Sequence, residues 1–334
     1  MATQNIAINT GESAGFLLGL ASMIFETHGE EIGNAVTTKN FLTAYLDSKG
    51  SVTTEGGLDI AEPVLISTNG NFAMRDKYSQ ITANIADPLR EFRFDWVQQT
   101  GSIAINEVHR LQNAGKAQIK KLMTTYKMQA ETTIGNILND SFWKASPTAN
   151  LDSESIQSIV STTPTTGTLG GISRANTYAQ NKVDTTTISS VGSVAGLARV
   201  HQLRLTLGGS AKTIPDFAIT TPVIFGLIQA FLDGQRQAYK DETMGQLGFD
   251  TIKIGPQTVL GYDGDGSTNG CPANRLYFLN SKHLFYRKLS GGEMKFTPFE
   301  FRDNSWNATS LFLHAFNLTT NFPGAMGVLT AITG

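Results

Sequence analysis

The sequence predicts an α+β fold organised around one long helix, and three stretches carry that expectation. From Asn106 to about Trp143, the apolar residues Val108, Leu111, Ile119, Leu122, Tyr126, Ala130, Ile134, Ile137 and Leu138 step by three or four wherever they are adjacent, with no proline between them, which is the period of one helix face. Before it, residues 90–97 alternate, Phe92, Phe94 and Trp96 against Arg93 and Asp95, as a half-buried strand does. After it, residues 194–279 alternate helical and short apolar strand patterns, which predicts a compact α/β lobe. At roughly 1.5 Å rise per residue the helix would reach about 50 Å, wider than a small domain. It is expected to act as a beam, with Lys116, Gln118, Lys120, Lys121, Lys127 and Gln129 on the face away from the core.

Composition narrows the class. A chain of 334 residues exceeds the size at which one core usually stops growing, so two lobes sharing a sheet or helix are expected. Hydrophobic residues make up 40% and charged residues 16%. A soluble monomer is nearer a quarter charged, so neighbours are expected to cover much of the surface. The formal net charge of -2 excludes a strongly basic nucleic-acid binder, which needs clustered Lys and Arg, and leaves passive contact with DNA open. The single cysteine, Cys271, cannot form an internal disulfide, and no Cys/His spacing resembles a zinc site. There is no signal-peptide pattern and no run of about 18 apolar residues, so neither secretion nor a membrane span is predicted and the protein is expected in the cytoplasm.

In chain order, residues 1–10 are polar. Ser13 to Phe25 then places Phe16, Leu17, Leu20, Met23 and Ile24 at helical spacing, weakened by Gly15 and Gly19, a short helix at the base of an extended arm. A second short helix is predicted over Thr38–Asp47, with Thr38 as N-cap, Phe41, Leu42 and Tyr45 on one face and Gly50 as its stop. Glu62–Ser67 reads as a strand. The stretch Asn69–Asp87 that follows, with Gly70, Met74, Arg75, Asp76, Lys77 and Tyr78, is too poor in apolar residues for a core of its own. An excursion of this length is usually functional. A two-stranded loop projecting from the body, its aromatics packed on another subunit, is expected.

Residues 147–190, rich in Thr, Ser and Asn, predict loop with short strands. Val194–Leu207 predicts a helix with Val194, Leu197, Val200, His201 and Leu205 on its face, closed by Gly208 and Gly209. Phe217–Thr220 is a buried strand, and Pro222 starts a helix through Leu232. Ile252–Leu260 and Arg275–Leu279 read as strands. So do Phe296–Phe301, Ser310–Thr320 and Gly327–Ile332, which are expected to return beside the long helix.

No motif argues for catalysis. TLGGSAKT from Thr206 lacks the glycines a phosphate loop needs at Leu207 and Ala211. Gly167–Gly171 suits a turn better than a dinucleotide site. Asp263, Asp265, Ser267 and Asn269 alternate like calcium ligands, but Thr268 replaces the required glycine and Asn274 the closing glutamate, so a solvated turn is expected. His28, His109, His201, His283 and His314 have no partner at ligand spacing. Asn307 and Asn317 begin N-x-T patterns that are read as strand residues. Neither a cofactor nor a metal is expected.

The runs KGSVTTEGGLDIAEPVL from Lys49, FDWVQQTGSIAI from Phe94, TTGTLGGISRANTY from Thr165, LYFLNSKHL from Leu276 and NLTTNFPGAMGVL from Asn317, with the order of arm, loop, beam and lobe, resemble the major capsid protein of tailed bacteriophages. In that family the Gly-Gly-Ile-x-Arg run, here Gly170–Arg174, is commonly followed by paired tryptophans, whereas this chain has Tyr178, Ala179 and Gln180. The resemblance implies the tailed-phage/herpesvirus major capsid fold: an N-terminal arm (1–40), a short helix and lead-in (41–55), an extended E-loop (56–100), a peripheral domain holding the spine helix (101–190, returning at 291–334) and an axial α/β domain (191–290).

It also implies a shell subunit that forms hexamers and pentamers of an icosahedral virion around double-stranded DNA, assembled in the host cytoplasm. A separate scaffolding protein, a portal and a decoration protein are the implied partners, with no membrane and no enzymatic activity. Arg75, Asp76, Lys77, Tyr78, Arg90, Glu91 and Arg93 of the loop, and Phe16, Leu17 and Leu20 of the arm, are the expected inter-subunit contacts. Individually weak surface pairs would be multiplied by repetition across the shell. The rivals are an encapsulin-like nanocompartment shell, a tail or decoration protein, and an α+β hydrolase without a visible motif.

Overall fold

The computed structural model describes residues 40–66, 71–80, 88–106, 116–148, 151–211, 214–234, 241–264, 270–301 and 307–332. The arm helix with Phe16, Leu17 and Leu20, the cap candidate Thr38, and Val108 and Leu111 lie outside the described residues. In chain order the elements are α1 (Phe41–Ser48), β1 (Val52–Glu55), β2 (Asp59–Leu65), β3 (Leu89–Asp95), β4 (Val97–Asn106), the long helix α2 (Lys116–Trp143) and α3 (Ile156–Ile159). Next come β5 (Thr168–Leu169), β6 (Ile172–Ser173), β7 (Lys182–Asp184), α4 (Val194–Ala211), β8 (Phe217–Thr220), α5 (Pro222–Gly234) and α6 (Glu242–Gln246). The chain continues with β9 (Ile252–Ile254), β10 (Thr258–Tyr262), β11 (Leu276–Leu279), β12 (Leu284–Leu289), β13 (Lys295–Phe296), β14 (Glu300–Phe301), β15 (Asn307–Thr320) and β16 (Gly327–Leu329).

Two six-stranded sheets form the body. In the first, β15 pairs antiparallel with β4 along one edge, from Asn307 opposite Asn106 to Phe316 opposite Val97. Along its other edge it takes β14, β13 and β12 in turn, and β1 runs parallel outside β12. Asn307 and Asn317 are both in β15, as expected. The second sheet has the order β7-β16-β11-β8-β10-β9. Its strands are buried on both faces: Phe217, Ile219, Tyr277 and Leu279 face the main core, while Ala218, Leu276 and Phe278 face a second cluster with Val200, Leu203 and Leu207 of α4 and Ile224 and Ile228 of α5. This is the period-two alternation of a strand covered on each side. The sheets do not divide at residues 190 and 290, because β7 and β16 join the second and β12 the first.

The long helix ends at Trp143 as expected, and its described length of 28 residues corresponds to about 42 Å. Ile134, Leu138, Phe142 and Trp143 are buried. Ile137, expected on the same face, is half exposed, because the turn of helix it sits on looks into a cleft rather than onto the sheet. The Trp143 indole donates to Asp263 Oδ2 at 2.6 Å, and Asn139 donates to Oδ1 at 3.3 Å. Asp263 is therefore half-buried and held at the helix end, and burial raises its pKa; Asp265, Ser267 and Asn269 lie outside the described residues.

Other expectations are corrected. Asn40 caps α1, accepting from Leu42 N–H at 2.9 Å. α4 runs through Gly208 and Gly209 instead of stopping there; a Cβ on Gly208 would lie 2.8 Å from Ile214, so the glycine serves close packing. The buried face of α4 is Val200, Leu203 and Leu207, and Val194 and Leu205 are exposed. Ile252–Leu260 is two strands joined by a turn at Gly255. β16 pairs with β11 and β7, not beside the long helix.

His314 sits fully buried in β15 beside Phe316 and Tyr286. Its Nδ1 accepts from Met294 N–H at 3.3 Å, so the neutral ring carries its proton on Nε2, which donates to the Tyr286 hydroxyl at 2.7 Å. Burial, with Lys288 nearby, lowers its pKa to about 3. The unfolded chain, with an ordinary histidine near about 6.5, binds this proton more readily than the folded one. The contribution is intact above about pH 6.5 and is lost as pH falls from there, at up to ~1.4 kcal/mol per pH unit. His314→Gln is expected to flatten that part of the curve. Urea denaturation across the window checks it, and equal slopes for the two proteins would refute a buried neutral His314.

Candidate assembly interface

The feature that projects from the body is the β2–β3 pair and the loop it carries. β2 and β3 pair antiparallel from Asp59 opposite Asp95 to Leu65 opposite Leu89. The inward residues Ile60, Glu62, Val64, Phe92 and Phe94 are buried, while Ala61, Pro63, Arg90, Glu91 and Arg93 face solvent. Trp96, expected on the face of Phe92 and Phe94, lies past the strand end and donates its indole N–H to Gly57 O at 3.1 Å, closing the base of the pair.

Three contacts fix the root. Glu62, buried in β2, accepts from Arg287 Nε of β12 at 2.9 Å and from Thr319 Oγ1 of β15 at 2.8 Å. Arg287 also donates to Thr53 and to Glu55. Asn317 Nδ2 donates to Asp95 O at 2.7 Å. The third contact comes from the tight hairpin β5–β6. Gly170 and Gly171 turn it with φ of 52° and 76°, the left-handed pair that a two-residue hairpin turn needs. Gly170 O accepts from Arg93 N–H at 3.0 Å, and a Cβ there would come within 2.8 Å of Phe92. Arg174, which ends this motif, is buried and donates to the carbonyls of Ser158 and Ile159 at the end of α3 and to Asn181 Oδ1. Gln180 donates to Arg174 O at 2.8 Å.

The tip differs in character. Phe72, Met74 and Tyr78 are 85%, 103% and 84% exposed, so the described residues of their own chain give these large groups almost no cover. Arg75 curls the tip by donating to Gln80 O at 2.9 Å and Asn71 O at 3.2 Å, and Asp76 accepts from Lys77 N–H at 2.7 Å. Lys77 Nζ lies 5.7 Å from the Tyr78 ring. Further down, Arg93 pairs with Asp59 and Glu91, each at 3.3 Å and solvent-exposed. The expected loop residues thus form three groups: Arg75 to Tyr78 at the tip, Glu91 and Arg93 on the outer face, and Arg90 opposite Val64 at the exposed loop end of the inner face. Sequence reasoning missed Glu62, Arg287 and Thr319. The signal available was one charged residue at the alternation point where β2 places Ile60 and Val64 inward.

Among the described residues no group of His, Cys, Asp and Glu could hold a metal ion, and no helix is long and apolar enough to cross a membrane. The described hydrogen bonds of the histidine rings go to Tyr286, Met294 and Asn321. Burial pushes the Cys271 thiol well up, the opposite of an activated nucleophile.

No protein-family model matches the sequence, and no curated protein does. Solved structures do. The capsid asymmetric unit of cyanophage A-1(L) superposes with a TM-score of 0.63 at 13% identity, over 87% of this chain and 94% of that one. The capsid of Myoviridae phage XM1 gives 0.54 at 10% identity, over 85% and 90%. The fold is the tailed-phage capsid fold. The SrpI encapsulin of Synechococcus elongatus, in its holo complex, shares it with a TM-score of 0.50 at 8% identity, over 84% of this chain and 85% of that one. At such identities the capsid fold is common to these chains while their side chains have diverged.

Removing Arg287 leaves the Glu62 carboxylate buried without its cation, which costs on the order of 3–5 kcal/mol. Arg287→Met is therefore expected to destabilise the unassembled subunit by about that much, and Glu62→Gln with Arg287→Met by clearly less. Arg93→Ala should cost under about 0.5 kcal/mol. Urea denaturation measures all three; a double variant no more stable than Arg287→Met would show that the pair does not anchor the root.

Proposed function

We propose that this chain is a major capsid protein, a structural and non-enzymatic subunit that assembles as hexamers and pentamers into an icosahedral phage head around double-stranded DNA. The observation that carries the reading is the overlap of 87% and 85% of the chain with two phage capsid folds. The exposed Phe72, Met74 and Tyr78 support it, since apolar groups held out on an anchored loop gain by being covered by a neighbour. In this reading the arm (1–40) and the loop (56–100) join subunits. The parts at 101–190 and 291–334 form the periphery of each capsomer, and 191–290 its axial part. The contacts are Arg75, Asp76, Lys77, Tyr78, Arg90, Glu91 and Arg93, with Phe16, Leu17 and Leu20 of the arm. Scaffolding, portal and decoration proteins are the partners, the packaged DNA touches the inner surface passively, and assembly takes place in the host cytoplasm.

The encapsulin likeness favours a second reading, a nanocompartment shell with protein inside, and particle contents separate the two. The test is negative-stain imaging with sedimentation of the protein expressed alone and with its neighbouring reading frames. Closed particles, or free hexamers and pentamers, are expected; a monodisperse monomer under every condition would overturn the shell reading. Nuclease-protected DNA in particles made with the packaging genes supports the phage head over the nanocompartment. Replacing residues 71–80 by a short Gly-Ser linker is expected to leave a cooperatively folded subunit that forms no closed particles. Normal particles from that variant would remove the latch role of the loop.

A further inference from the structure

Most sheet edges in this fold are short or guarded. β1, β7 and β9, at the ends of the two large sheets, have four, three and three residues. β2 carries Pro63, and β3 carries Arg90, Glu91 and Arg93. Shortness, proline and charge are the usual means of keeping an edge from pairing with another chain. β4 has none of them. It runs for ten residues, Val97–Asn106, with neither proline nor a charged residue, which is about 33 Å of strand.

The two sides of β4 are unequal. On the far side of β15, Leu311 O accepts from Thr297 N–H, and Ala315 N–H donates to Gly292 O. The odd-numbered residues of β15 therefore point their backbone groups away from β4, and the even-numbered ones point toward it. With Phe316 opposite Val97, those even residues bond Val97, Gln99, Gly101, Ile103 and Ile105. The N–H and C=O groups of Gln98, Thr100, Ser102 and Ala104 are left pointing outward, and no hydrogen bond among the described residues reaches them. Their side chains are exposed. The end of the long helix packs over β15 and β12, Phe142 against Phe316 and Tyr286. Nearer its middle, a cleft of about 390 Å³ is lined by residues 99–104 on one side and by Tyr126 and Ala130 on the other.

Gly101 stands at the middle of the outward set. Glycine weakens a strand, and where it occurs another backbone often comes close. Its own chain does not require it. The ladder passes through Gly101 without a bulge, and a Cβ there would meet Phe312 only at 4.0 Å, an ordinary contact.

We propose that the outer edge of β4 pairs antiparallel with the same edge of a second copy of this chain, about a two-fold axis through Gly101. Gln98 then lies opposite Ala104, Thr100 opposite Ser102, and Gly101 opposite its own copy. This register uses all four outward residues of both chains. It places Gly101 in a non-hydrogen-bonded pair, where two strands come closest, about 4.5 Å between Cα atoms, and it brings no like charges together. The first sheet continues from one subunit into the next. Such a contact is isologous, whereas subunits around a hexamer or pentamer meet head to tail, so on the shell reading it joins two capsomers. The pairing itself rests on strand geometry and goes beyond that reading.

Cysteine cross-linking and charge exchange test it. Gly101→Cys is expected to form an inter-subunit disulfide under mild oxidation, since Cα atoms about 4.5 Å apart are within bridging range. Gln98→Cys, about 20 Å from its own copy in this register, is expected to form none. The native Cys271 is buried and does not compete. Thr100→Lys with Ser102→Lys sets like charges opposite each other and is expected to lower the yield of closed particles on the order of tenfold. Thr100→Lys with Ser102→Glu sets opposite charges in the same places and is expected to recover most of that yield. Thermal unfolding of the unassembled subunits checks that each variant folds. The pairing is wrong, and the shell reading stands, if wild type forms particles but Gly101→Cys cross-links no better than Gln98→Cys. The same holds if the two-lysine variant assembles like wild type, or if the Lys/Glu variant is no better than the two-lysine one. A two-chain cross-link from a protein that forms no particles under any condition would uphold the pairing and overturn the shell reading. A protein that forms neither overturns both.

Discussion

Strand β15 is hydrogen-bonded on both edges over the same residues, with β4 on one side and β14 and β13 on the other. From Asn307 to His314 its buried residues are Ala308, Ser310, Phe312 and His314, alternating with more exposed ones. A slip by one residue would turn that whole set to the wrong face and break both ladders together. The register of β15 is therefore the constraint on which the first sheet depends. It also fixes everything attached to β4: the projecting pair β2–β3 enters one residue before β4 begins, and the long helix follows it in the chain. Loop and helix are aimed by the same ladder.

The projecting loop joins two opposite physical regimes. Its root is tied down by a buried carboxylate with a guanidinium and a hydroxyl, an arrangement that contributes little net stability but is costly to break, and so favours one direction of projection. Its tip has hydrogen bonds that hold a curl but, among the described residues, no apolar cover. A rigid root and an uncovered tip reduce the entropy lost on docking, because the contact groups are already held out. The glycine hairpin at Gly170 and Gly171 belongs to this anchoring, since its carbonyl and its missing side chain both press on β3. The resemblance of that motif to a family pattern thus has a local physical cause.

Much of the fold was legible where one period dominates. The long helix, β3, β8 and the α5 helix starting at Pro222 follow from spacing and from the proline rule. The failures also have causes. Gly208 and Gly209 read as a stop, yet one of them serves contact with Ile214 inside a continuing helix. Ile252–Leu260 is apolar throughout, so nothing in its pattern marks the turn at Gly255 except the glycine itself. β12 was unmarked because Leu284–Leu289 mixes buried and half-buried residues, and its partners lie at residues 52–55 and 316–320.

For the site, the sequence by itself determined the composition of the loop: few apolar residues, paired charges and three large groups with no local core to join. Local chemistry suffices for that, since a segment that cannot bury enough surface must project. What only the tertiary structure decided is which charges are used within the chain. Arg287 is more than two hundred residues from Glu62, and Gln99 and Asp140 line one cleft only because β4 runs beside the end of the long helix. Such pairings depend on strand register and helix placement, and these are set by long-range packing that no local period encodes.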